Sequence, residues 1–133
     1  MIPNKNFNNF TIHFVGIGGI GMSGIAELML DLGYQIQGSD ININANITRL
    51  KKRGVKFFKG HKKSNIKNIT AVVFSSAIKK DNPELQECNR LSIPLVSRAD
   101  MLAELMKTKR QSSAVQAARV ERILEIATDT EVK

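Results

Sequence analysis

Residues 16–24 read GIGGIGMSG, with five glycines in nine positions. An apolar run at residues 10–15 precedes them, and a helical pattern follows them to Leu32. This order predicts a strand, a glycine turn and a helix, which together begin a phosphate-binding βαβ unit. Glycine suits the turn because it adopts positive φ and lets the backbone approach a ligand without a Cβ in the way. The free amides and positive dipole end of the helix would then face a phosphate or pyrophosphate.

Two overlapping readings of the motif G-x-G-x-x-G fit this turn. One uses Gly16, Gly18 and Gly21, and the other uses Gly19, Gly21 and Gly24. A glycine-rich turn that only packs a helix against a strand is the alternative to a phosphate site. The sequence does not decide which of the two glycine triplets forms the motif.

Strand and helix patterns alternate along the chain as far as residue 107. We expect strands at 10–15, 35–38, 55–58, 71–74 and 94–96, and helices near 21–32, 45–53, 83–91 and 98–106. Short connections between alternating elements predict an α/β fold, a Rossmann-like doubly wound parallel sheet of about five strands. We expect this single domain to occupy residues 1–107.

Residues 108–133 differ in character from the domain before them. They begin with a polar break and then carry a short apolar stripe formed by Val120, Ile123, Leu124 and Ala127. The spacing predicts a divergent C-terminal tail that is partly helical. This tail could dock on the domain, dock on a partner chain, or fray.

Composition and charge narrow the classes of function. The 133 residues include one cysteine, Cys88, which rules out an internal disulfide. No apolar stretch approaches the roughly 20 residues of a membrane-spanning helix, and the first residues lack a signal-peptide core. We therefore expect a cytoplasmic protein without a membrane partner.

The net charge of +8 is unevenly distributed. Between Asp40 and Asp81 there is no acidic residue, but there are eleven lysines and arginines. Such a field could attract nucleic acid or a small phosphorylated ligand. The few aromatic residues do not interleave with the basic ones as base-stacking platforms would, so a nucleic-acid partner is not expected.

Polar residues follow several of the predicted strands, at the edge where ligands bind in doubly wound sheets. Asp40 lies 19 residues after Gly21, at the end of the second strand. In NAD-binding folds an acidic residue at this place accepts hydrogen bonds from the ribose hydroxyls, so these rules alone favour NAD. The glycine motif cannot separate NAD from a nucleotide-sugar, because both carry a pyrophosphate beside a ribose. Asp40 could also merely cap the segment that follows it.

Taken together, the motifs closely resemble the N-terminal domain of the UDP-N-acetylmuramate–L-alanine ligases, members of the Mur ligase family of peptidoglycan synthesis. The resemblance covers about residues 10–107, in order and with matching gaps. It rests on HFVGIGGIGMSG at 13–24, GSD at 38–40, GH at 60–61, SSAI at 75–78, NP at 82–83 and RADMLAELM at 98–106.

The resemblance implies that the domain binds the UDP part of UDP-N-acetylmuramic acid, and not a dinucleotide. By position, the loop that would cradle the pyrophosphate consists of Gly18, Gly19, Ile20, Gly21, Met22 and Ser23. Ser39 and Asp40 would lie near the uridine, and the rest of the crevice would be lined by His61, Ser75 and Ser76.

The residues outside the loop could also have roles that involve no ligand. His61 could be an exposed loop histidine, and Ser75 and Ser76 could end a strand by bonding local backbone groups. His13, inside the first strand, is expected to be structural.

Ligases of this family use ATP and magnesium in a central domain to activate the muramoyl carboxylate. The phosphate-loop motif G-x-x-x-x-G-K-[ST] of that domain occurs nowhere in this chain. We therefore expect a chain truncated before the ATPase domain, with no catalytic residue and no cofactor or metal site of its own. It would bind substrate without turning it over, and a separate chain with the missing domains is a candidate partner.

Two other classes of function remain open. One is an NAD(H)-binding regulatory module, which Asp40 and the glycine motif support. The other is a vestigial or interaction protein with an idle site, whose tail pairs with another chain.

Overall fold

The computed structural model describes residues 10–107, 118 and 120–124. The strands are β1 (Thr11–Val15), β2 (Gln35–Asp40), β3 (Lys56–Lys59), β4 (Ala71–Phe74) and β5 (Leu95–Ser97). The helices are α1 (Met22–Asp31), α2 (Ala45–Lys52), α3 (Pro83–Leu91) and α4 (Arg98–Lys107), with a 3₁₀ turn at Lys63–Asn65. The five described strands pair in parallel in the order β3-β2-β1-β4-β5. This arrangement confirms the predicted Rossmann-like doubly wound sheet.

The second strand is longer than its sequence suggests. β2 continues through Ser39 and Asp40, because these residues pair with Phe58 and Lys59 of β3. The polar end of β2 is therefore held rigidly within the sheet, and it does not belong to a loop. Elsewhere the elements begin and end within about a residue or two of the predicted positions, which is the usual scatter at element ends.

Side chains alternate between two different faces of the sheet, as the pleat requires. On β1, Ile12 and Phe14 belong to a large apolar cluster with residues of α1, α2 and α4. His13 and Val15 point to the other face, which α3 and the 3₁₀ turn cover. Between β3 and β4 the chain crosses this second face without a full helix, so part of that face is covered by loop backbone.

The described part of the C-terminal tail lies on the apolar face. Residues 118 and 120–124 are helical, and Val120 and Leu124 are buried in the same cluster as Ile12. Ile123 packs against the cluster, whereas Ala127 lies outside the described residues. Within the described ranges, no helix has the length and apolar character needed to cross a membrane.

We predict that Gly38→Ala destabilises the fold. A Cβ on Gly38 would lie 2.5 Å from Cδ1 of Ile17 and 2.9 Å from the carbonyl oxygen of Phe14. Relief of these overlaps requires movement of backbone as well as side chain, so we expect a loss of about 1–3 kcal/mol in the free energy of unfolding. Denaturant-induced unfolding measures the change.

The matched control is Gly24→Ala in α1. A Cβ at Gly24 would meet no atom within 4 Å, and alanine is favoured over glycine in a helix by about 1 kcal/mol. We expect this variant to be at least as stable as the wild type. Equal stability of Gly38→Ala and the wild type would contradict the tight approach of Ile17 to β2.

Candidate functional site

The glycine loop, residues 16–21, joins β1 to α1 at the carboxyl edge of the sheet. Gly16 and Gly21 have φ of +84° and +79°, in the left-handed region that favours glycine. A Cβ on Gly18 would lie 2.9 Å from Nδ2 of Asn44 and 3.0 Å from Oδ2 of Asp40. Positive φ therefore favours glycine at positions 16 and 21, and a Cβ would be crowded at Gly18 and also at Gly19, where it would lie 3.2 Å from the carbonyl oxygen of Gly16.

All three glycines of one reading of the motif are constrained by the structure. They are Gly16, Gly18 and Gly21, which together form G-x-G-x-x-G. In the competing reading the third glycine is Gly24, which lies on an open surface of α1 where a Cβ would have free space.

The end of β2 holds the glycine loop in place. The carbonyl oxygen of Ser39 accepts hydrogen bonds from the amides of Gly16 and Ile17, at 2.8 and 3.0 Å. Oδ2 of Asp40 accepts a hydrogen bond from the amide of Gly18 at 2.8 Å. The acidic residue that the sequence placed beside a ribose is thus also an anchor of the loop itself.

Asn44 binds the other backbone group of Gly18. Its Nδ2 donates to the carbonyl oxygen of Gly18 at 3.0 Å, while its Oδ1 accepts from the amide of Ile47 and caps α2. The carbonyl oxygen of Asp40 accepts from the amide of Gly60 at 2.7 Å. Sequence reasoning missed Asn44, although asparagine directly before a helix is a recognisable cap.

Part of the loop remains available to a ligand. Within the described part of the chain, no atom accepts a hydrogen bond from the amides of Ile20 and Gly21. The side chain of Ile20 is 99% exposed, whereas those of Met22 and Ser23 are buried. Backbone amides at the N-terminus of α1 are therefore the groups that can meet an anion here.

Arg98, the first residue of α4, lies beside these amides. A Cβ built on Gly21 would lie 3.1 Å from Nη1 of Arg98. Among the described residues, no acceptor forms a hydrogen bond or ion pair with this half-buried guanidinium. An unpaired guanidinium beside free amides is suited to a phosphate oxygen. Arg98 is the first residue of the sequence motif at 98–106, but its position beside the glycine loop depends on the packing of α4 against α1.

A buried carboxylate lies on the other face of the sheet. Glu84, in the first turn of α3, is fully buried. Its Oε1 lies 2.8 Å from Nε2 of His13 and 2.7 Å from Oγ of Ser39. Its Oε2 accepts hydrogen bonds from Nδ2 of Asn65 at 2.6 Å and from the amide of Lys62 at 3.1 Å. Sequence reasoning missed Glu84, because an acid in a first helical turn normally only complements the helix dipole.

The environment of Glu84 keeps it ionised. Burial by itself would raise the pKa of this carboxyl, but the hydrogen bonds from His13, Ser39 and Asn65 outweigh burial and hold the pKa below its usual value of 4.5. His13 is completely buried in this network, in agreement with the structural role expected for it.

His61 belongs to the same network and is not an exposed loop residue. Its side chain is 13% exposed, and its Nδ1 lies 2.9 Å from Oγ of Ser39. The ring also lines a cavity of about 450 Å³ together with Ile41 and the segments 77–79 and 81–83. His61 is therefore positioned at the boundary between the buried network and a cleft.

The two serines after β4 differ from each other. Oγ of Ser75 accepts a hydrogen bond from the amide of Ala77 at 3.3 Å, which is a local bond at the end of the strand. Ser76 is exposed. Ile78 of the same segment approaches Gly16, since a Cβ on that glycine would lie 3.4 Å from its Cδ1. Both serines therefore follow β4 at the edge of the sheet that carries the glycine loop.

Comparison with known proteins gives a consistent result. Residues 11–110 match the family model described as Mur ligase family, catalytic domain. The UDP-N-acetylmuramate–L-alanine ligase of Methylorubrum populi is 58% identical over 98 residues, which cover 74% of this chain and 21% of that protein. The ligase of the same name from Rickettsia typhi is 58% identical over 99 residues, covering 74% of this chain and 20% of that protein.

Solved structures share the same fold. UDP-N-acetylmuramate-alanine ligase from Thermotoga maritima superposes with a TM-score of 0.70 at 33% identity, covering 73% of this chain and 23% of that one. A murein peptide ligase from Psychrobacter arcticus superposes with a TM-score of 0.70 at 26% identity, covering 74% of this chain and 21% of that one. The chain spans about a fifth of the length of the curated relatives it matches.

We predict that Glu84→Gln destabilises the protein by about 3 kcal/mol at neutral pH. The new amide would turn a donor toward Asn65 and Lys62, which already donate to this position. Because the folded pKa of Glu84 is lowered, its stabilisation is present above the ordinary pKa and is lost as the pH falls through the lowered value. The stability difference between wild type and variant should therefore shrink on acidification.

Urea-induced unfolding at about pH 7 and about pH 3 checks both statements. The control is Glu87→Gln on the same helix, where the carboxylate pairs with the exposed Arg90. This control should change stability little. A difference between wild type and Glu84→Gln that persists unchanged at low pH would contradict the assignment of a buried carboxylate anion.

Proposed function

The chain belongs to the Mur ligase family, and from this membership we propose that it binds UDP-N-acetylmuramic acid for the alanine-adding step of peptidoglycan synthesis. The glycine loop takes the pyrophosphate, and the cleft beside it takes the rest of the nucleotide-sugar. Relatives that carry the name UDP-N-acetylmuramate–L-alanine ligase at 58% identity support this choice of ligand.

The observation that carries the proposal is the meeting of free amides and a free cation at one point. Among the described residues the amides of Ile20 and Gly21 have no acceptor, they lie at the positive end of α1, and the guanidinium of Arg98 lies beside them. A pyrophosphate offers oxygens to both kinds of donor, and charge-assisted hydrogen bonds are stronger than neutral ones. The net charge of +8 would favour the approach of such an anion.

The other predicted residues keep separate roles in the proposal. Asp40, His61, Ser75 and Ser76 are candidates for direct contact with the uridine or the sugar, since they follow strands at the same edge. Ser39 is fully buried and bonded to Glu84, so we place it behind His61, where it does not touch the nucleotide.

We propose that the ATP and magnesium of the ligase reaction are bound outside the part of the chain that the structure describes. Its side chains form no group of three or more histidine, cysteine, aspartate or glutamate residues that could hold a metal ion. The sequence also lacks a phosphate-loop lysine motif. We therefore propose a role in substrate binding, with the phosphoryl transfer carried out by other protein domains. We propose that the protein acts in the cytoplasm.

We predict that UDP-N-acetylmuramic acid and UDP bind the chain in calorimetric titration, and that NAD binds more weakly than either. Arg98→Gln should weaken binding of the UDP compounds about tenfold, because one charge-assisted hydrogen bond to the pyrophosphate is lost. The matched control is Arg90→Gln, since Arg90 is an exposed residue of α3 that pairs with Glu87.

Three results would contradict this reading. A preference for NAD would favour a regulatory dinucleotide module, in which Asp40 reads the ribose. No affinity for any of the three ligands would favour an interaction protein with an idle site. Equal effects of Arg98→Gln and Arg90→Gln would remove Arg98 from the site.

A further inference from the structure

The hydroxyl of Ser39 lies within hydrogen-bond distance of two side chains, those of Glu84 and His61. Oγ is 2.7 Å from Oε1 of Glu84 and 2.9 Å from Nδ1 of His61. A hydroxyl has one hydrogen to donate. Which neighbour receives it determines which nitrogen of His61 carries a proton.

Glu84 receives this hydrogen because its carboxylate is surrounded by donors. Oε2 of Glu84 faces the backbone amide of Lys62, which can only donate. It also faces Nδ2 of Asn65, which must be the amide nitrogen because it donates a second hydrogen bond to the carbonyl oxygen of Gly60 at 3.1 Å. A proton on Oε2 would therefore find no acceptor, and the lowered pKa of Glu84 leaves Oε1 without a proton as well. Ser39 therefore donates to an ionised Glu84, and its oxygen accepts from His61. His61 must carry its proton on Nδ1.

His13 is fixed in the opposite tautomer by the same reasoning. Nε2 of Gln37 donates one hydrogen to the carbonyl oxygen of Asn65 at 3.1 Å and the other to Nδ1 of His13 at 2.8 Å. Nδ1 of His13 is therefore an acceptor, and its Nε2 donates to Glu84. The two histidines of the chain thus carry their protons on different nitrogens.

The remaining nitrogen of His61 is Nε2, and it belongs to a residue that lines the cleft. The ring lines the cavity of about 450 Å³ while its Nδ1 edge faces Ser39. Among the described residues, no group forms a hydrogen bond with Nε2 of His61. In a neutral imidazole with a proton on Nδ1, this nitrogen can only accept a hydrogen bond.

We propose that Glu84, acting through Ser39, is a positioning residue that holds His61 in the Nδ1–H tautomer, so that Nε2 accepts a hydrogen bond from a hydroxyl or amide N–H of the bound nucleotide-sugar. The identity of the ligand rests on the proposed function, whereas the tautomer does not. The two parts of the site then divide the recognition: the glycine loop and Arg98 take the anionic group, and His61 takes an uncharged donor.

The first test is ¹⁵N NMR of the imidazole rings in the ligand-free protein. We expect His61 to show a protonated Nδ1 and an unprotonated Nε2, and His13 to show the reverse. His13 serves as the internal control, because both rings bond to the same network. An Nε2–H tautomer at His61 would overturn the inference, whatever the protein binds. Ser39→Ala should abolish the preference at His61, and its retention there would remove Ser39 and Glu84 from the positioning role.

The second test follows the same spectra during titration with UDP-N-acetylmuramic acid. We expect a shift of Nε2 of His61, together with shifts of the Ile20 and Gly21 amides. Ser39→Ala should weaken binding about fivefold, the effect of one neutral hydrogen bond. Shifts at the loop without a shift at His61 would overturn this inference and leave the proposed function intact. No shift at either place would overturn the proposed function, and with it the ligand contact of His61.

Discussion

Four hydrogen bonds hold the carboxylate of Glu84 inside the protein, and the polar half of the sheet depends on them. They come from β1, β2, the 3₁₀ turn and the segment before it, so one anion ties together elements that are distant in sequence. The desolvation of a buried charge is unfavourable unless such donors compensate for it. Loss of the anion would leave all of these donors without an acceptor in a closed interior.

This network explains how the chain crosses the second face of the sheet without a full helix. A helix there would satisfy its own backbone and bury apolar side chains. In the loop between β3 and β4 the amide of Lys62 instead donates to Glu84, and the carbonyl oxygen of Asn65 accepts from Gln37. The carbonyl oxygen of Gly60 accepts from the side chain of Asn65. The apolar face packs the helices that carry the glycine loop, and the polar face orients His61. β2 joins the two, because Ser39 bonds the loop with its backbone and the network with its side chain.

Local patterns were sufficient to predict the sheet, the helices and the glycine turn. Apolar runs, a proline after Asn82 and glycines at helix ends act over a few residues, so they can be read from the sequence. The roles of Glu84 and Arg98 depend on which strands become neighbours, and nothing near them in the sequence indicates it. Asp40 shows the same limit: its position at a strand end was predictable, but its bond to Gly18 required the folded loop.

Most backbone amides of the glycine loop form hydrogen bonds that fix the conformation of the loop itself. Gly16, Ile17 and Gly18 donate to β2, and Gly19 donates back to Gly16. The entropy of ordering this loop is therefore lost once, during folding, and not again with each ligand. A preorganised loop of this kind would receive an anion without a closing motion, so the lifetime of the proposed complex would be set by the contacts of the ligand and not by the dynamics of the loop.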